Sequence, residues 1–151
     1  MIDQQLDSDI QELLNERERT MAFFHSDYKP LNMYAIFRAD LEMSPGKLAA
    51  QAGHAFDMTH DKAKIQRPEI TSQYKGSGNG TKICMYAKNL NQLIRAYRDC
   101  QSLNIPCELI IDRGHILLPH FNGKPIITGL GIGPAFKEEM TTITKRYTML
   151  K

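Results

Sequence analysis

The chain lacks several features that would place it in a special class of protein. No apolar run approaches the roughly 20 residues that a membrane-spanning helix needs, so no membrane association is expected. The polar, acidic start Met1-Ile2-Asp3-Gln4-Gln5 has neither the basic residues nor the apolar stretch of a secretion signal. Three cysteines, an odd number without metal-ligand spacing, indicate neither a disulfide framework nor a zinc site. The sequence therefore predicts a cytoplasmic protein with reduced cysteines and no metal.

What is present is the composition of an ordinary globular domain with an uneven charge. The 151 residues suffice for one domain with a buried core, and 42% hydrophobic residues exclude a disordered chain. Residues 1–30 carry seven acids and three bases, a net charge of −4. The total of 19 bases and 17 acids leaves 16 bases and ten acids for residues 31–151, a net charge of +6. A basic body suits a polyanionic partner, because neutralised phosphates release counterions.

Hydrophobic periodicity predicts an α/β domain, residues 31–151, after a helical extension and linker, residues 1–30. Short apolar runs predict strands at Met33–Phe37, Lys82–Ala87, Cys107–Asp112 and Ile126–Ile132. Helices are predicted at about 46–60, 68–74 and 90–105, and from Pro134 to about Tyr147. The glycine-rich segment 75–80 predicts a turn or mobile loop. Strands alternating with helices predict a single-domain three-layer sandwich, in which helices flank a four-stranded mixed sheet.

The N-terminal extension has an amphipathic pattern. Apolar residues recur there at three- and four-residue spacing, which predicts a helix followed by a linker at His25–Pro30: Ile2, Leu6, Ile10, Leu13, Leu14 and Met21. The helix is either an accessory element, packed on the domain or on a second subunit, or a regulatory or partner-binding arm. We favour the accessory helix, because amphipathic stripes usually serve packing.

Two glycine motifs fail the nucleotide-binding patterns they first suggest. Gly46-Lys47 is followed by Leu48 and lacks the upstream glycine of a phosphate loop. The glycines of 129–133 precede Pro134 and do not open a second βαβ half. What remains is Lys47 in the first turn of a helix, where free backbone N–H groups favour an anion.

Asp112 is the leading candidate for a functional carboxylate. It ends an apolar strand, where α/β proteins tend to place functional groups. A structural role, capping a loop or pairing with a lysine, is the alternative. Lys47, Gln51 and His54 share one side of their predicted helix, although a packed, hydrogen-bonded histidine is commoner than a functional one. Thr128 fits an ordinary strand residue equally well.

Several motifs in one order carry a family resemblance over residues 33–151. The first is Arg38-x-Asp40-Leu41-x-Met43-x-x-Gly46-Lys47-x-Ala49-Ala50-Gln51-x-x-His54-Ala55. The later ones are Gly80-Thr81-Lys82-Ile83, Asp112-x-Gly114, Thr128-x-Leu130-x-Ile132-Gly133-Pro134 and Ile143-Thr144. In these motifs the chain resembles the type II peptidyl-tRNA hydrolases.

The resemblance implies hydrolysis of the ester that joins a peptide, or an N-blocked aminoacyl group, to the 3′ ribose of tRNA. The family recycles tRNA in this way without a metal or other cofactor, and its members are typically small dimeric α/β proteins. Lys47, Asp112 and Thr128 match its functional lysine, its aspartate and one of its two functional threonines. The expected substrate-binding residues are Gln51, His54, Lys82, Gly114 and His115. The expected partner is tRNA, contacted also by basic residues such as Lys62, Lys64 and Arg67, with a homodimer as a further possibility.

The chain departs from the family at three points. The family pattern D-x-G-x-T has its second threonine where this chain has Ile116, which cannot form a hydrogen bond. The segment Leu117–Pro125 is longer than usual, and Pro45 replaces a residue that is often basic. Two alternatives therefore stand beside the hydrolase: a non-catalytic module that binds tRNA or another partner, and a related hydrolase with a changed ester substrate.

Overall fold

The computed structural model describes residues 2–21, 30–76 and 80–151, and its side chains in the first range from residue 4 to residue 19. The predicted linker at His25–Pro30 lies outside the described residues except for Pro30. Residues 77–79 of the predicted glycine-rich loop lie outside them as well.

The chain order of helices and strands largely follows the predicted one, with additional short strands. The helices are α1 (Ile2–Met21), α2 (Pro45–Gln66), α3 (Pro68–Gly76), α4 (Leu90–Ser102) and α5 (Lys137–Thr144). The strands are β1 (Leu31–Arg38), β2 (Thr81–Ala87), β3 (Cys107–Asp112), β4 (Ile116–Leu117), β5 (Phe121–Asn122), β6 (Ile126–Phe136) and β7 (Thr148–Met149).

The main sheet is mixed and has five strands in the order β3-β6-β1-β2-β7. β1 and β2 are parallel, whereas β6 runs antiparallel to both β1 and β3, and β7 runs antiparallel to β2. The predicted count of four strands is therefore one too low. β7 has only two residues, and so short a strand has no hydrophobic alternation to reveal it. β4 and β5 form a separate hairpin between β3 and β6.

The predicted helix start at Pro134 is wrong. β6 continues through Pro134 to Phe136, and α5 begins at Lys137. Proline lacks an N–H donor, so a strand tolerates it only where a ladder bond is already missing. The register between β1 and β6 shifts between Asn32 and Tyr34, next to Gly133 with its φ of 106°, and this irregularity accommodates the proline.

Alternation along β1 divides the core between the two faces of the sheet. Tyr34 and Ile36 pack on the face covered by α4 and α5, together with Leu93 and Met140. Ala35 and Phe37 point to the opposite face, where α2 packs, and Met33 and Leu31 on that side meet α3 through Tyr74. The predicted α/β sandwich of three layers, with helices on both faces of one mixed sheet, is confirmed.

α2 lies unusually close to β6. Its buried row is Gln51, Ala55, Thr59 and Ala63, one residue per turn. A Cβ atom added to Gly131 of β6 would lie 2.1 Å from Thr59 Oγ1 and 2.3 Å from the Ala55 carbonyl oxygen. Only glycine permits this approach, which sets α2 across β6 and β3 and brings the helix start to the end of β3.

α1 is an exposed helix. Every side chain from residue 4 to 19 is exposed, including the apolar stripe, with Leu6 at 55%, Leu13 at 65% and Leu14 at 54%. The expected packing of α1 on its own domain is therefore not observed for these residues, and packing on a second subunit stays a prediction. Within the described ranges, no helix combines the length and apolar character required to cross a membrane.

We predict that Gly131→Ala destabilises the fold by about 2–3 kcal/mol, because the new methyl group must push α2 away from β6. Urea unfolding followed by circular dichroism measures this. The matched control is Gly53→Ala in α2, where an added Cβ meets nothing within 4 Å. Removing a helical glycine there should stabilise the protein by about 0.5–1 kcal/mol. Equal effects at the two glycines would contradict the close approach of helix and strand.

Candidate functional site

The candidate site lies where α2 begins and β3 ends. Ser44 caps α2, its Oγ accepting a hydrogen bond from the Lys47 N–H at 3.2 Å, and Pro45 occupies the first turn. Asp112 is the last residue of β3. The Lys47 ammonium and the Asp112 carboxylate form an ion pair across this junction. Two of the candidate residues thus meet although 65 positions separate them in the sequence.

The ion pair is largely withdrawn from water. The Lys47 side chain is 18% exposed and the Asp112 side chain 11%. The Lys47 Nζ lies 4.9 Å from the centroid of the buried Phe121 ring, a cation–π contact that closes one side of the pair. Charges in such surroundings interact more strongly than charges in water, and each is costly without the other. A small open side remains through which a substrate can reach both groups.

Thr128 and Gln51 form a buried hydrogen bond behind the ion pair. The Thr128 hydroxyl donates to Gln51 Oε1 at 2.6 Å and also lies 3.3 Å from the Ile110 carbonyl oxygen. Thr128 is 0% exposed and Gln51 is 5% exposed. The bond therefore ties α2 to β6, one turn after Lys47, and its hydroxyl faces the helix and not the solvent.

The β4–β5 hairpin forms the rim of the site. Gly114, with a φ of 73°, opens it and donates its N–H to the Gly123 carbonyl oxygen at 3.1 Å. The His115 ring meets the Phe121 ring edge-on at 5.1 Å. His115 Nε2 is buried and has no hydrogen-bond partner among the residues that the structure describes. Ile116 is 72% exposed, so the rim presents an apolar side chain to solvent.

Two expected substrate-binding residues lie elsewhere. His54 is on the exposed side of α2. Lys82 is at the start of β2, paired in register with Met33, whereas the ion pair is at the level of Arg38, whose guanidinium donates to the Ile127 carbonyl oxygen. The five residues from 33 to 38 span roughly 17 Å of strand. Lys82 therefore lies near the opposite end of the sheet.

Three further basic residues expected to contact tRNA make structural bonds. Lys62 donates to the Cys107 carbonyl oxygen at 2.8 Å, and Lys64 pairs with Asp61 at 3.0 Å. Arg67 pairs with Glu139 at 2.9 Å. Over the described ranges, no group of three or more His, Cys, Asp or Glu side chains is arranged to hold a metal ion.

Sequence reasoning missed Phe121. It lies in the segment that is longer than the family pattern, and no spacing distinguishes it from a loop residue. Its contact with Lys47 depends on the β4–β5 hairpin folding back over the ion pair. An aromatic residue in a polar, proline-containing loop was the available signal, because such a side chain tends to be buried.

We predict that Thr128→Val destabilises the protein by about 1–3 kcal/mol, because it leaves the buried Gln51 amide without its partner. Thermal and urea unfolding measure the loss. Thr141→Val is the control, since that exposed hydroxyl bonds only within α5. The double variant Gln51→Leu/Thr128→Val should cost less than the sum of the single changes. Strict additivity would show that the two side chains do not act together.

Comparison with known proteins gives a consistent family. The family model described as "Peptidyl-tRNA hydrolase PTH2" matches residues 31–150. A protein from Methanocaldococcus jannaschii named peptidyl-tRNA hydrolase is 30% identical over 120 residues, 80% of this chain and 100% of that protein. One of the same name from Methanothermobacter thermautotrophicus is 36% identical over 113 residues, 72% of this chain and 90% of that protein.

A solved structure resembles the fold. It belongs to a protein of unknown function from Agrobacterium strain C58, with a TM-score of 0.51 and 13% sequence identity. The likeness covers 80% of this chain and 98% of that one. At this identity it supports the α/β architecture alone.

Proposed function

The chain belongs to the peptidyl-tRNA hydrolase PTH2 family and is thereby a hydrolase of peptidyl-tRNA; we propose that the Lys47–Asp112 pair carries out the reaction. The bond cleaved is the ester between a peptide, or an N-blocked aminoacyl group, and the 3′ ribose of tRNA, without a metal. The ion pair at the junction of α2 and β3 is the observation that carries this proposal. An ammonium and a carboxylate, mostly shielded from water but still accessible, suit ester hydrolysis.

Asp112 acts on the attacking water. Its carboxylate accepts a hydrogen bond from the water and takes up a proton as the oxygen bonds to the ester carbonyl carbon. Cleavage of the bond between that carbon and the ribose oxygen follows, and the proton passes to the departing ribose hydroxyl. The products are the free peptide acid and the free 3′ end of tRNA.

Lys47 stabilises the charge that develops on the carbonyl oxygen. An ammonium has three donors, and its bond to Asp112 uses one of them. The other two are available to the ester oxygen in the transition state, where a fixed donor is worth about 100-fold or more in rate. The Phe121 ring limits the directions in which the ammonium can turn.

Thr128 and Gln51 are proposed as positioning residues, because both are buried and bonded to each other. They hold the first turns of α2 against β6, and so hold Lys47 opposite Asp112. Gly114 sets the direction of the hairpin. His115 Nε2, unpartnered within the described part of the chain, is the group that can supply a hydrogen bond where the family has a threonine hydroxyl and this chain has Ile116.

The ion pair supports catalysis over the alternative of a non-catalytic binding module, since mere binding requires no paired lysine and aspartate. Ile116 and the exposed rim support a change in which esters are preferred, and not a loss of hydrolysis. A cytoplasmic location, where charged tRNA is present, belongs to the same proposal. So does a homodimer, for which the exposed apolar stripe of α1 offers a surface.

We predict that Asp112→Asn and Lys47→Met each lower the kcat for release of free tRNA from purified peptidyl-tRNA by about 100-fold or more. Each change removes one of the two groups that act on water and carbonyl. Asp99→Asn is the matched control, because Asp99 also pairs with a cation, Arg146, but on α4 at a distance from the site. It should retain wild-type activity.

Circular dichroism must show that the variants remain folded, since breaking a partly buried ion pair also costs stability. Folded Asp112→Asn protein with wild-type turnover would remove Asp112 from the reaction. A wild-type protein that binds tRNA but releases none would favour the binding module.

We predict that Ile116→Thr changes kcat for peptidyl-tRNA by less than about threefold. The side chain is 72% exposed, and Phe121 is the hairpin residue that contacts Lys47, so a hydroxyl at 116 adds little to the ion pair. Single-turnover cleavage by the two proteins tests this. A gain of about 100-fold, the size of a missing catalytic donor, would show instead that this chain is a degenerate hydrolase.

A further inference from the structure

A second concave site lies away from the ion pair. A cavity of about 410 Å³ opens between α2, α3 and the start of β2. Its polar lining consists of Asp57, His60, Lys75 and Lys82, and its apolar lining includes Phe56 and Tyr74. None of the residues that hold the Lys47–Asp112 pair lines it, so this cleft, the α2–α3 cleft, is a separate feature of the surface.

Positive groups converge in the α2–α3 cleft over an apolar floor. The Lys82 Nζ lies 5.6 Å from the centroid of the Tyr74 ring and 5.9 Å from that of Phe56. Lys75 lines the same cleft from the end of α3. Two ammonium groups beside two aromatic rings favour an anion, whose charge would reduce their mutual repulsion.

The titration behaviour of the cleft is consistent with an anion site. Burial lowers the pKa of Lys82, and the charge of Lys75 lowers it further. Burial also lowers the pKa of His60, with contributions from Lys75 and Lys64, while Asp61 and Asp57 act in the opposite direction. A bound anion would favour the charged form of both Lys82 and His60. Asp57 is the carboxylate among the lining residues and limits how many negative groups can enter.

His60 adds a donor inside the cleft. Its Nε2 is buried and has no hydrogen-bond partner among residues 2–21, 30–76 and 80–151. Buried polar atoms usually have partners, so an unpaired one that lines a cavity points to a bound group. A tetrahedral oxyanion provides several acceptor oxygens, enough for two ammonium groups and an imidazole N–H at once.

We propose that the α2–α3 cleft binds a phosphate group of the tRNA backbone, at a distance from the ester that is cleaved. This inference rests on the proposed function for the identity of the polyanion. Lys82 lies roughly 17 Å of strand from the level of the ion pair. A stacked nucleic-acid strand advances about 3.4 Å per nucleotide, so the phosphate lies about five nucleotides from the 3′ ribose.

Binding of deacylated tRNA at several salt concentrations tests the proposal. We compare the full-length wild type with Lys82→Gln, Lys75→Gln and the double variant, and use Lys145→Gln as the matched control, an exposed lysine after α5. Each cleft substitution should raise Kd by about three- to tenfold. Each should also reduce the slope of log K against log salt by about one, because one phosphate contact is lost. The control should change neither quantity.

The cleavage assay separates this inference from the proposed function. The KM for full-length peptidyl-tRNA should rise with Kd in the cleft variants. The ratio between wild type and variant should shrink toward one when the substrate is truncated to its 3′ nucleotide. If the wild type cleaves nothing but the cleft variants still lose tRNA affinity and salt slope, the proposed function fails and the phosphate site stands.

Two results would overturn the inference. One is Lys82→Gln and Lys75→Gln binding tRNA with the affinity and salt slope of Lys145→Gln, while the wild type cleaves normally. The other is binding of inorganic phosphate, followed by the NMR signals of His60, without any loss of tRNA affinity in the variants. That outcome would make the cleft a site for free phosphate.

Discussion

The close packing of α2 on β6 is the constraint on which the rest of the site depends. Gly131 has no side chain, and Ala55 and Thr59 of α2 occupy the space where one would be. Because a helix is a stiff rod, fixing its middle against the strand also fixes the direction of its first turn. Lys47 is in that turn, and Asp112 ends the strand on the far side of β6. The ion pair is thus a consequence of a helix-to-sheet contact three turns away.

The Thr128–Gln51 hydrogen bond extends this constraint toward the site. A buried threonine and a buried glutamine would each cost stability if unpaired, and together they satisfy one another at 2.6 Å. A longer apolar side chain at 51 would fill the space without fixing the rotation of α2. The polar pair specifies one arrangement, with Lys47 turned toward β3. An ion pair that replaced water by protein at some cost in desolvation is then held ready for reaction.

Much of the fold follows from local patterns in the sequence. The apolar runs at Met33–Phe37 and Cys107–Asp112 predicted β1 and β3 because a buried strand has few other ways to look. Short, non-local elements could not be found in this way. β7 and the β4–β5 hairpin have two residues per strand, and their pairing depends on tertiary contacts. Pro134 was misread because its local signal favours a helix start, whereas an irregular register with β1 keeps it in the sheet.

The candidate site shows the same division. The resemblance supplied Lys47, Asp112 and Thr128, but residue spacing alone does not say that the first two touch or that the third is buried behind them. Phe121 could not be selected, because its contact with Lys47 is made by a hairpin that the sequence does not announce. The exposure of His54 and the distance of Lys82 depend on helix rotation and strand direction, which only the assembled sheet defines.

The positions of Lys47 and Lys82 at opposite ends of parallel strands separate two tasks that a hydrolase of a large substrate must perform. β1 and β2 run in the same direction, so groups at their carboxyl ends meet at the ion pair, and groups at their amino ends meet at the α2–α3 cleft. Contacts with phosphates far from the ester bind substrate and transition state equally and therefore act on KM. Only the groups at the ester distinguish the two states and raise kcat. A rigid helix, α2, lines both places, so a tRNA held at the cleft would present its 3′ end in one register to Lys47 and Asp112.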